Sequence, residues 1–318
     1  MNAPLSSPTA GSSLFDAADR ETFAACFNKT SFLLKHSLPD TGLFTLPRIA
    51  ELANAMLASG RKDTVSALHF KDARLDSKFT SLAEERQLTD IVERLSNSGS
   101  WIKLTRVQDF DTSCAAVLNA MIDDIESLSG VRIRQDLTWA TMTLFLASPG
   151  ISTPYHIDHE SNFLFQVQGS KEVCLFSQDD RELLPDREIE RFYNGNAEAA
   201  RYRSELQHRG TVFHLGPGLA VHHPPLAPHW VKNGQDISVS VSVGFCLKPL
   251  ERRARVYQAN FVLRQLGLRP RGPGLSRTGD RVKTGVMSIL EKRRPETYQD
   301  VVFAPMSRLK APFRLVRG

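Results

Sequence analysis

The sequence predicts a mainly antiparallel β-sandwich or barrel with helical flanks, on three observations. After Asp136 the chain turns β-branched and aromatic, starting with Leu137-Thr-Trp-Ala-Thr-Met-Thr-Leu-Phe-Leu-Ala147, the residue types that fit a pleated, half-buried surface. Shorter runs of the same kind follow at 163–168, 171–176, 211–215, 219–222, 230–232 and 237–247, separated by Gly, Pro and Asn turns. No helical pattern alternates with them, which points away from a parallel α/β sheet and toward a sandwich or barrel.

The first third reads as mainly helical, with a short strand or two. Ile49, Leu52, Ala53, Met56 and Leu57 repeat at helical spacing, with Pro47 in the first turn and Gly60 as the stop. Ser81-Leu-Ala-Glu84 is a capping-box pattern ahead of Leu88, Ile91, Val92 and Leu95. A third helix is predicted over about 113–128, ended by Gly130. Within the β region, 177–210 is a charged, weakly patterned insertion containing Arg181, Asp186, Arg187, Glu190, Arg191 and Arg203, longer than a hairpin connection and of the kind that often covers a site. Beyond Pro249, Val256, Ala259, Leu263 and Leu266 mark another helix stopped by Gly267; 269–279 reads as loop, and a short last helix falls near 286–292. The expected organisation is a flexible tail over 1–14, a helical region over 15–130 packed on the core, a β domain over 131–250 and a helical region over 251–318.

A chain of 318 residues that is 41% hydrophobic can bury a substantial core. Its formal charge of +5 favours anionic ligands, but no basic run marks a nucleic-acid surface. Cys26, Cys114, Cys174 and Cys246 lie far apart without CxxC spacing, which argues against a zinc finger, a thioredoxin motif or a disulfide framework and fits a reducing cytosol. The Ser/Pro-rich start lacks the apolar stretch of a signal peptide, and no apolar run approaches the roughly 20 residues of a membrane span.

The chemistry concentrates in Thr153-Pro-Tyr-His156-Ile-Asp158 and the segment that follows it. His156 and Asp158 are two residues apart, so on an extended strand both side chains leave one face and can reach one ion. Gln168-Gly169-Ser170-Lys171 reads as a two-residue hairpin turn pairing Gln168 with Lys171. In that register Asn162, Leu164, Gln166, Gln168, Lys171, Val173 and Leu175 share a face, opposite Phe163, Phe165, Val167, Cys174 and Phe176. If that polar face is interior, Lys171 is a buried ammonium that needs an anion, for which a carboxylate is suited; if not, it is a solvated first residue of a strand. His229 opens the strand leading to Val231 and can project inward, whereas His222 and His223 read equally as packing residues or as supports of a site. No partner is evident for His159. Two histidines and a carboxylate with open positions form the facial triad of non-heme Fe(II) oxygenases, for which 2-oxoglutarate is the usual electron donor.

These residues resemble the JmjC-type, cupin-fold Fe(II)/2-oxoglutarate oxygenases, among them the asparaginyl hydroxylase of hypoxia-inducible factor and bacterial cupin-like proteins. The pattern Thr-x-x-His-x-Asp-x-x-x-Asn-Phe followed by Gly-x-Lys is present without gaps as Thr153, His156, Asp158, Asn162, Phe163, Gly169 and Lys171, and the Pro-Gly…Pro…His segment as Pro217, Gly218, Pro224 and His229. The resemblance spans about 137–247 and implies a double-stranded β-helix (cupin or jelly-roll, JmjC-like) with N-terminal and C-terminal helices. It implies Fe(II) on His156, Asp158 and His229, with 2-oxoglutarate and O2 as cosubstrates. Lys171 and Thr153 would hold the distal carboxylate, and Asn162 would lie beside cosubstrate or substrate. The family's Val-Asn-Phe-Trp reads here Val241-Ser242-Val243-Gly244, so Ser242 stands where an Asn contacts the cosubstrate. The implied reaction is hydroxylation of a protein or peptide side chain or of a small metabolite, with succinate and CO2 released. Implied too is a homodimer built on C-terminal helices, for which 255–266 is the stretch here, unless that helix packs on its own domain. Two other readings compete: a cupin that binds a metal or small anion without turnover, and a metal-dependent sugar-phosphate isomerase, which would need His159 or Glu160 as a further ligand.

Overall fold

The computed structural model describes residues 13–16, 19–61, 64–69, 95, 99–290 and 306. Its strands form two antiparallel sheets. The larger, seven-stranded sheet has the order β1-β9-β6-β11-β4-β3-β2 and the smaller, four-stranded sheet the order β5-β10-β7-β8, where the strands are β1 (Leu33–Lys35), β2 (Val65–His69), β3 (Ser100–Thr105), β4 (Leu137–Ala147), β5 (Ser152–His156), β6 (Ser161–Gln168), β7 (Lys171–Leu175), β8 (Thr211–Leu215), β9 (Leu219–His223), β10 (His229–Asn233) and β11 (Ser238–Leu247). From β4 onward, successive strands alternate between sheets, except that β7 and β8 pair with each other, in the winding of a double-stranded β-helix, with β4-β11-β6-β9 facing β5-β10-β7-β8. This is the jelly-roll architecture expected.

Alternation along each strand divides the residues between two cores. On β11, Val239, Val241, Val243 and Phe245 leave the barrel, while Ser238, Ser240 and Ser242 face its interior, all buried. The outward set joins Phe163 and Phe165 of β6 and Met142, Leu144 and Leu146 of β4. Against them pack Phe23 from α1 (Arg20–Cys26), Ile49, Ala53 and Met56 from α2 (Leu46–Ala58), and Val117, Met121, Ile122 and Ile125 from α3 (Thr112–Ser129). Helical periodicity thus brings one face of α2 and one of α3 to the outside of the larger sheet. Asp111 caps α3 by accepting the Cys114 N–H at 3.0 Å, and Gly130 closes it in the left-handed conformation. Phe163 sits at the centre, stacked with Phe23, Phe27, Phe245 and His222. A smaller core lies between the sheets: Leu164, Val173, Leu175, Leu215, Val221, Ala227 and Val231.

Several expectations change. Residues 168 and 171 do not pair: β6 belongs to the larger sheet, with Gln168 opposite Val239, and β7 to the smaller, with Lys171 between Asn233 and Leu215. The turn at Gly169 is a corner that carries the chain between sheets. Gly169 has φ +70°, and a Cβ there would lie 2.6 Å from the Ile237 carbonyl oxygen, so both conformation and space demand glycine. The interior facing survives nonetheless for Asn162, Leu164, Gln166, Lys171, Val173 and Leu175, because strands that face each other across a sandwich share the inside as a hairpin would; Gln168 is exposed. Residues 177–210 form α4 (Asp186–Phe192) and a 3-10 segment. They pack Leu183, Leu184, Ile189, Phe192 and Tyr193 into a cluster with Tyr155, Cys174, Phe176 and Trp230 of the smaller sheet. The insertion is a roof on the outer face of that sheet.

The long helix α5 (Lys248–Gln265) also packs on its own chain, with Tyr257 stacked on Tyr193 and Arg264 paired with Glu190 at 2.8 Å. The last described helix, α6 (Arg277–Ser288), begins earlier than its apolar spacing suggests because Ser276 caps it through the Gly279 N–H. Leu14, assigned by sequence to the tail, is buried, and its N–H donates to Asp124 at 2.8 Å. The helix expected after Ser81 lies outside the described residues apart from Leu95, which is buried. Among the described residues no helix is long and apolar enough to cross a membrane.

Truncating Phe163 removes the ring on which four others stack, so Phe163→Ala should cost about 3–5 kcal/mol, read as a lower midpoint of denaturant unfolding with an unchanged slope.

Candidate metal centre

β5 and β10 are neighbours in the smaller sheet, and their register sets His156 opposite His229. The ring centroids stand 4.1 Å apart. Asp158 follows the end of β5, and its Oδ2 lies 3.6 Å from His229 Nε2 and 4.0 Å from His156 Nε2. The ligand atoms of His156, Asp158 and His229 all fall within 4.8 Å of one another, the metal-capable grouping of three or more such side chains among the described residues.

Each imidazole is prepared for ligation by a backbone carbonyl. His156 Nδ1–H donates to Pro154 O at 2.7 Å, and His229 Nδ1–H donates to Ala227 O at 3.0 Å. A carbonyl only accepts, so the proton sits on Nδ1 in both rings and the Nε2 lone pairs point at Asp158, the arrangement that orients metal-bound histidines. Burial pushes His229 down to about 4, with His156 adding to the effect against the pull of Asp158. For Asp158, burial favours the acid, but His156, His229 and Lys103 together outweigh it and hold the carboxyl below its ordinary value. Two neutral imidazoles and a carboxylate are the ligating forms. The Asp158 side chain is 38% exposed, so the set opens onto solvent at the barrel mouth.

A turn fixes the geometry from behind. Pro224 and Ala227 close it by a 3.0 Å hydrogen bond from Ala227 N–H to Pro224 O. Leu226 inside it has φ +69°, a conformation that costs a non-glycine residue about 1–2 kcal/mol. The Leu226 side chain is buried in the roof cluster, and its N–H donates to Asp158 O at 2.8 Å. The same turn therefore holds the Asp158 backbone and, through Ala227 O, the His229 ring.

Deeper in the barrel, Lys171 is 6% exposed. Among the described residues none forms an ion pair with it, and burial pushes its ammonium down to about 7. Thr153 is buried on β5, opposite Val231. Ser242 donates its hydroxyl to Asn162 Oδ1 at 2.8 Å, Ser240 donates to Gln166 Oε1 at 2.7 Å, and Gln166 Nε2 donates to Ser238 Oγ at 3.0 Å. Five side chains on the inner face of the larger sheet are thus bonded to one another, while Val173, Leu175 and Val231 make the facing wall largely apolar.

The remaining histidines separate cleanly. His222 faces the outer core, where its Nε2 accepts the Asn28 N–H at 3.1 Å and its Nδ1–H donates to Asn162 O at 3.0 Å; it is a satisfied packing residue. His159 points away from the site, with Nδ1 2.7 Å from the Tyr193 hydroxyl and Nε2 3.0 Å from Cys246 Sγ, which removes it as a metal ligand. His223 faces inward against His229, ring centroids 4.6 Å apart. Two further residues border the site: Glu160, which the sequence offered only as a further ligand of the isomerase reading, and Lys103, which no sequence signal placed there. Glu160 curls over Gly244, where a Cβ would meet its Cγ at 3.2 Å, and burial together with Asp158 pushes it up to about 8. Lys103, on β3, lies close enough to draw both carboxyls down.

Fold and site together define a double-stranded β-helix with a two-histidine, one-carboxylate ligand set at its mouth. No family model matches the chain, and no curated protein does. Among solved structures, the chain resembles Escherichia coli ribosomal oxygenase YcfD at 15% identity and a TM-score of 0.46, over 87% of this chain and 67% of that one. It also resembles a structure of YcfD in complex with cobalt and 2-oxoglutarate, at 14% identity and a TM-score of 0.47 over 88% and 68% of the two chains. The DMSP lyase DddQ from Ruegeria pomeroyi DSS-3 matches over 34% of this chain and 38% of that one, with a TM-score of 0.22 and 14% identity.

Two outcomes follow from this geometry. Asp158→Ala and His229→Ala should each lower Co(II) affinity by at least about 100-fold, a loss of some 2.7 kcal/mol, with the visible absorption of the bound ion as readout and far-ultraviolet dichroism unchanged. Lys171→Met should stabilise the ligand-free protein by about 1–3 kcal/mol at pH 6. The sign follows from burial: below about 7 the folded chain carries a desolvated ammonium, whereas the unfolded chain keeps it solvated and charged. The gain should therefore shrink as pH rises from about 7 toward the ordinary lysine value, which thermal unfolding of both proteins across that range will measure.

Proposed function

We propose that the protein is an Fe(II)- and 2-oxoglutarate-dependent hydroxylase, acting on a C–H bond of a protein or peptide side chain or of a small metabolite. One conjunction carries the reading: an open His156, Asp158 and His229 set and a buried Lys171 with no ion-pair partner among the described residues occupy the same barrel interior. A mixed nitrogen and oxygen set with positions left over suits Fe(II), and a buried cation calls for an anion. A dicarboxylate able to ligate the metal at one end and meet Lys171 at the other satisfies both.

When bound, the iron and its cosubstrate supply oxygen activation: the substrate C–H becomes C–OH as O2 is reduced, and 2-oxoglutarate is oxidised to succinate and CO2. The protein contributes placement. His156, Asp158 and His229 hold the ion from one side and leave the other open to ligands. Lys171 and the Thr153 hydroxyl take the distal carboxylate. Val173, Leu175 and Val231 keep water from the wall between those two points, which strengthens the electrostatics there. Ser242 acts through Asn162, since its hydroxyl is already committed to Asn162 Oδ1, so its contribution is to orient that amide rather than to replace a missing one.

Purified anaerobically and given Fe(II), 2-oxoglutarate and ascorbate, the wild type should form succinate on exposure to air, and Asp158→Ala should not. Lys171→Ala should raise the Kd of 2-oxoglutarate by about 100-fold, within the 2–5 kcal/mol expected for losing one partner of a buried charge pair. Above pH 7 the wild-type affinity should fall, toward tenfold per unit, because Lys171 then has to take up a proton on binding. Tight Mn(II) or Zn(II) binding with no 2-oxoglutarate binding by calorimetry would replace the hydroxylase with a metal-binding cupin that has no oxygenase turnover.

A further inference from the structure

Alternation on β9 sends His222 to the outer core and His223 into the barrel. His223 is 3% exposed, and among the described residues neither ring nitrogen has a hydrogen-bond partner. Whichever nitrogen carries the proton, that N–H lacks an acceptor, and buried polar groups are as a rule paired. By contrast, the polar side chains of His222, His229, Asn162, Ser240 and Ser242 are all hydrogen-bonded. A packing role would be met as well by leucine, without an unpaired donor.

The position narrows what can fill the gap. His223 pairs across the larger sheet with Asn162 and its ring stands edge to face on that of His229, so it lies at the metal end of the barrel. It does not belong to the group whose ligand atoms lie mutually within 4.8 Å, so it is not a fourth ligand of that set. The gap calls for an acceptor beside His229, in an interior where His156 and Lys171 both stand within electrostatic reach of the His223 ring.

We propose that His223 is a positioning residue of the cosubstrate site, donating a ring N–H to the 2-oxo-acid end of the bound dicarboxylate, while Lys171 and Thr153 hold the far carboxylate. The inference rests on the hydroxylase reading for the identity of the anion. It makes the pocket a reader of both ends: a dicarboxylate that lacks the 2-oxo-acid end gains nothing from His223.

Calorimetry on the Mn(II)-loaded full-length protein, with 2-oxoglutarate and with succinate, tests this. His223→Leu should weaken 2-oxoglutarate at least tenfold, leave succinate within about twofold, and leave Mn(II) affinity within about threefold; His223→Gln, which keeps a donor, should recover part of the loss. Equal losses for both acids, unchanged 2-oxoglutarate binding, or a large loss of metal affinity would each overturn it. Should His223→Leu fail to fold, nitrogen NMR of ring-labelled wild type loaded with Zn(II) decides. The His223 N–H should gain protection from exchange with 2-oxoglutarate and not with succinate; equal protection by both, or by neither, overturns the inference. A wild type that binds no 2-oxoglutarate at all overturns the hydroxylase reading and this inference with it, whereas wild-type binding that His223→Leu preserves overturns this inference alone.

Discussion

The turn from Pro224 to Ala227 is the constraint on which the metal centre depends. It connects the two sheets, and its inner backbone groups are spent on ligands: Leu226 N–H on the Asp158 carbonyl and Ala227 O on the His229 ring. Leu226 accepts a left-handed conformation to do this, and burial of its side chain against the roof over the smaller sheet offsets the cost. The roof therefore serves the site from the rear. Residues 177–210 supply the apolar surface that keeps a strained turn in place, and through the turn they fix where two of the three ligands stand.

The barrel interior is divided by function as well as by sheet. One wall is hydroxyl and amide, closed on itself by the bonds among Ser238, Ser240, Gln166, Ser242 and Asn162. The facing wall is apolar at Val173, Leu175 and Val231, with Thr153 opposite Val231, Lys171 at one end and the two imidazoles at the other. With those side chains satisfied internally, Lys171 and His223 are among the interior groups left to meet a ligand. A folded state that keeps an ammonium desolvated is less stable than it need be, the common cost of a prepared site.

Much of this was legible in the chain. The apolar spacing of α2 and α3 and the β-branched runs of β4 and β11 depend on local periodicity, which sequence displays directly. His156, Asp158, His229, Thr153 and Lys171 stand in two short segments, so alternation along three strands, β5, β7 and β10, already marks them as candidates for one face. What failed depends on long-range pairing. The glycine turn after Gln168 has hairpin chemistry, yet whether it folds strands together or carries the chain around a corner is decided by β11 and β10, some sixty residues on. Lys103 reaches the site from β3 because β3 pairs with β4, and nothing in its own neighbourhood says so. The choice between His222 and His223 turned on which face of β9 looks inward, and Phe27 and Phe32 settle it by stacking on His222 from a region far away in the chain. The serines at 238, 240 and 242 were the readable clue to a polar interior, visible as the partners of the alternating valines.

Pro154 gives the smaller sheet a property beyond catalysis. It lies on β5, which among the described residues pairs with β10 alone and is one of the two edges of that sheet. Proline brings no N–H to that edge, and its carbonyl is occupied by the His156 ring. An incoming strand from another molecule would find no donor at Pro154 and an acceptor already engaged, so the residue that orients a metal ligand also blunts this edge against strand addition.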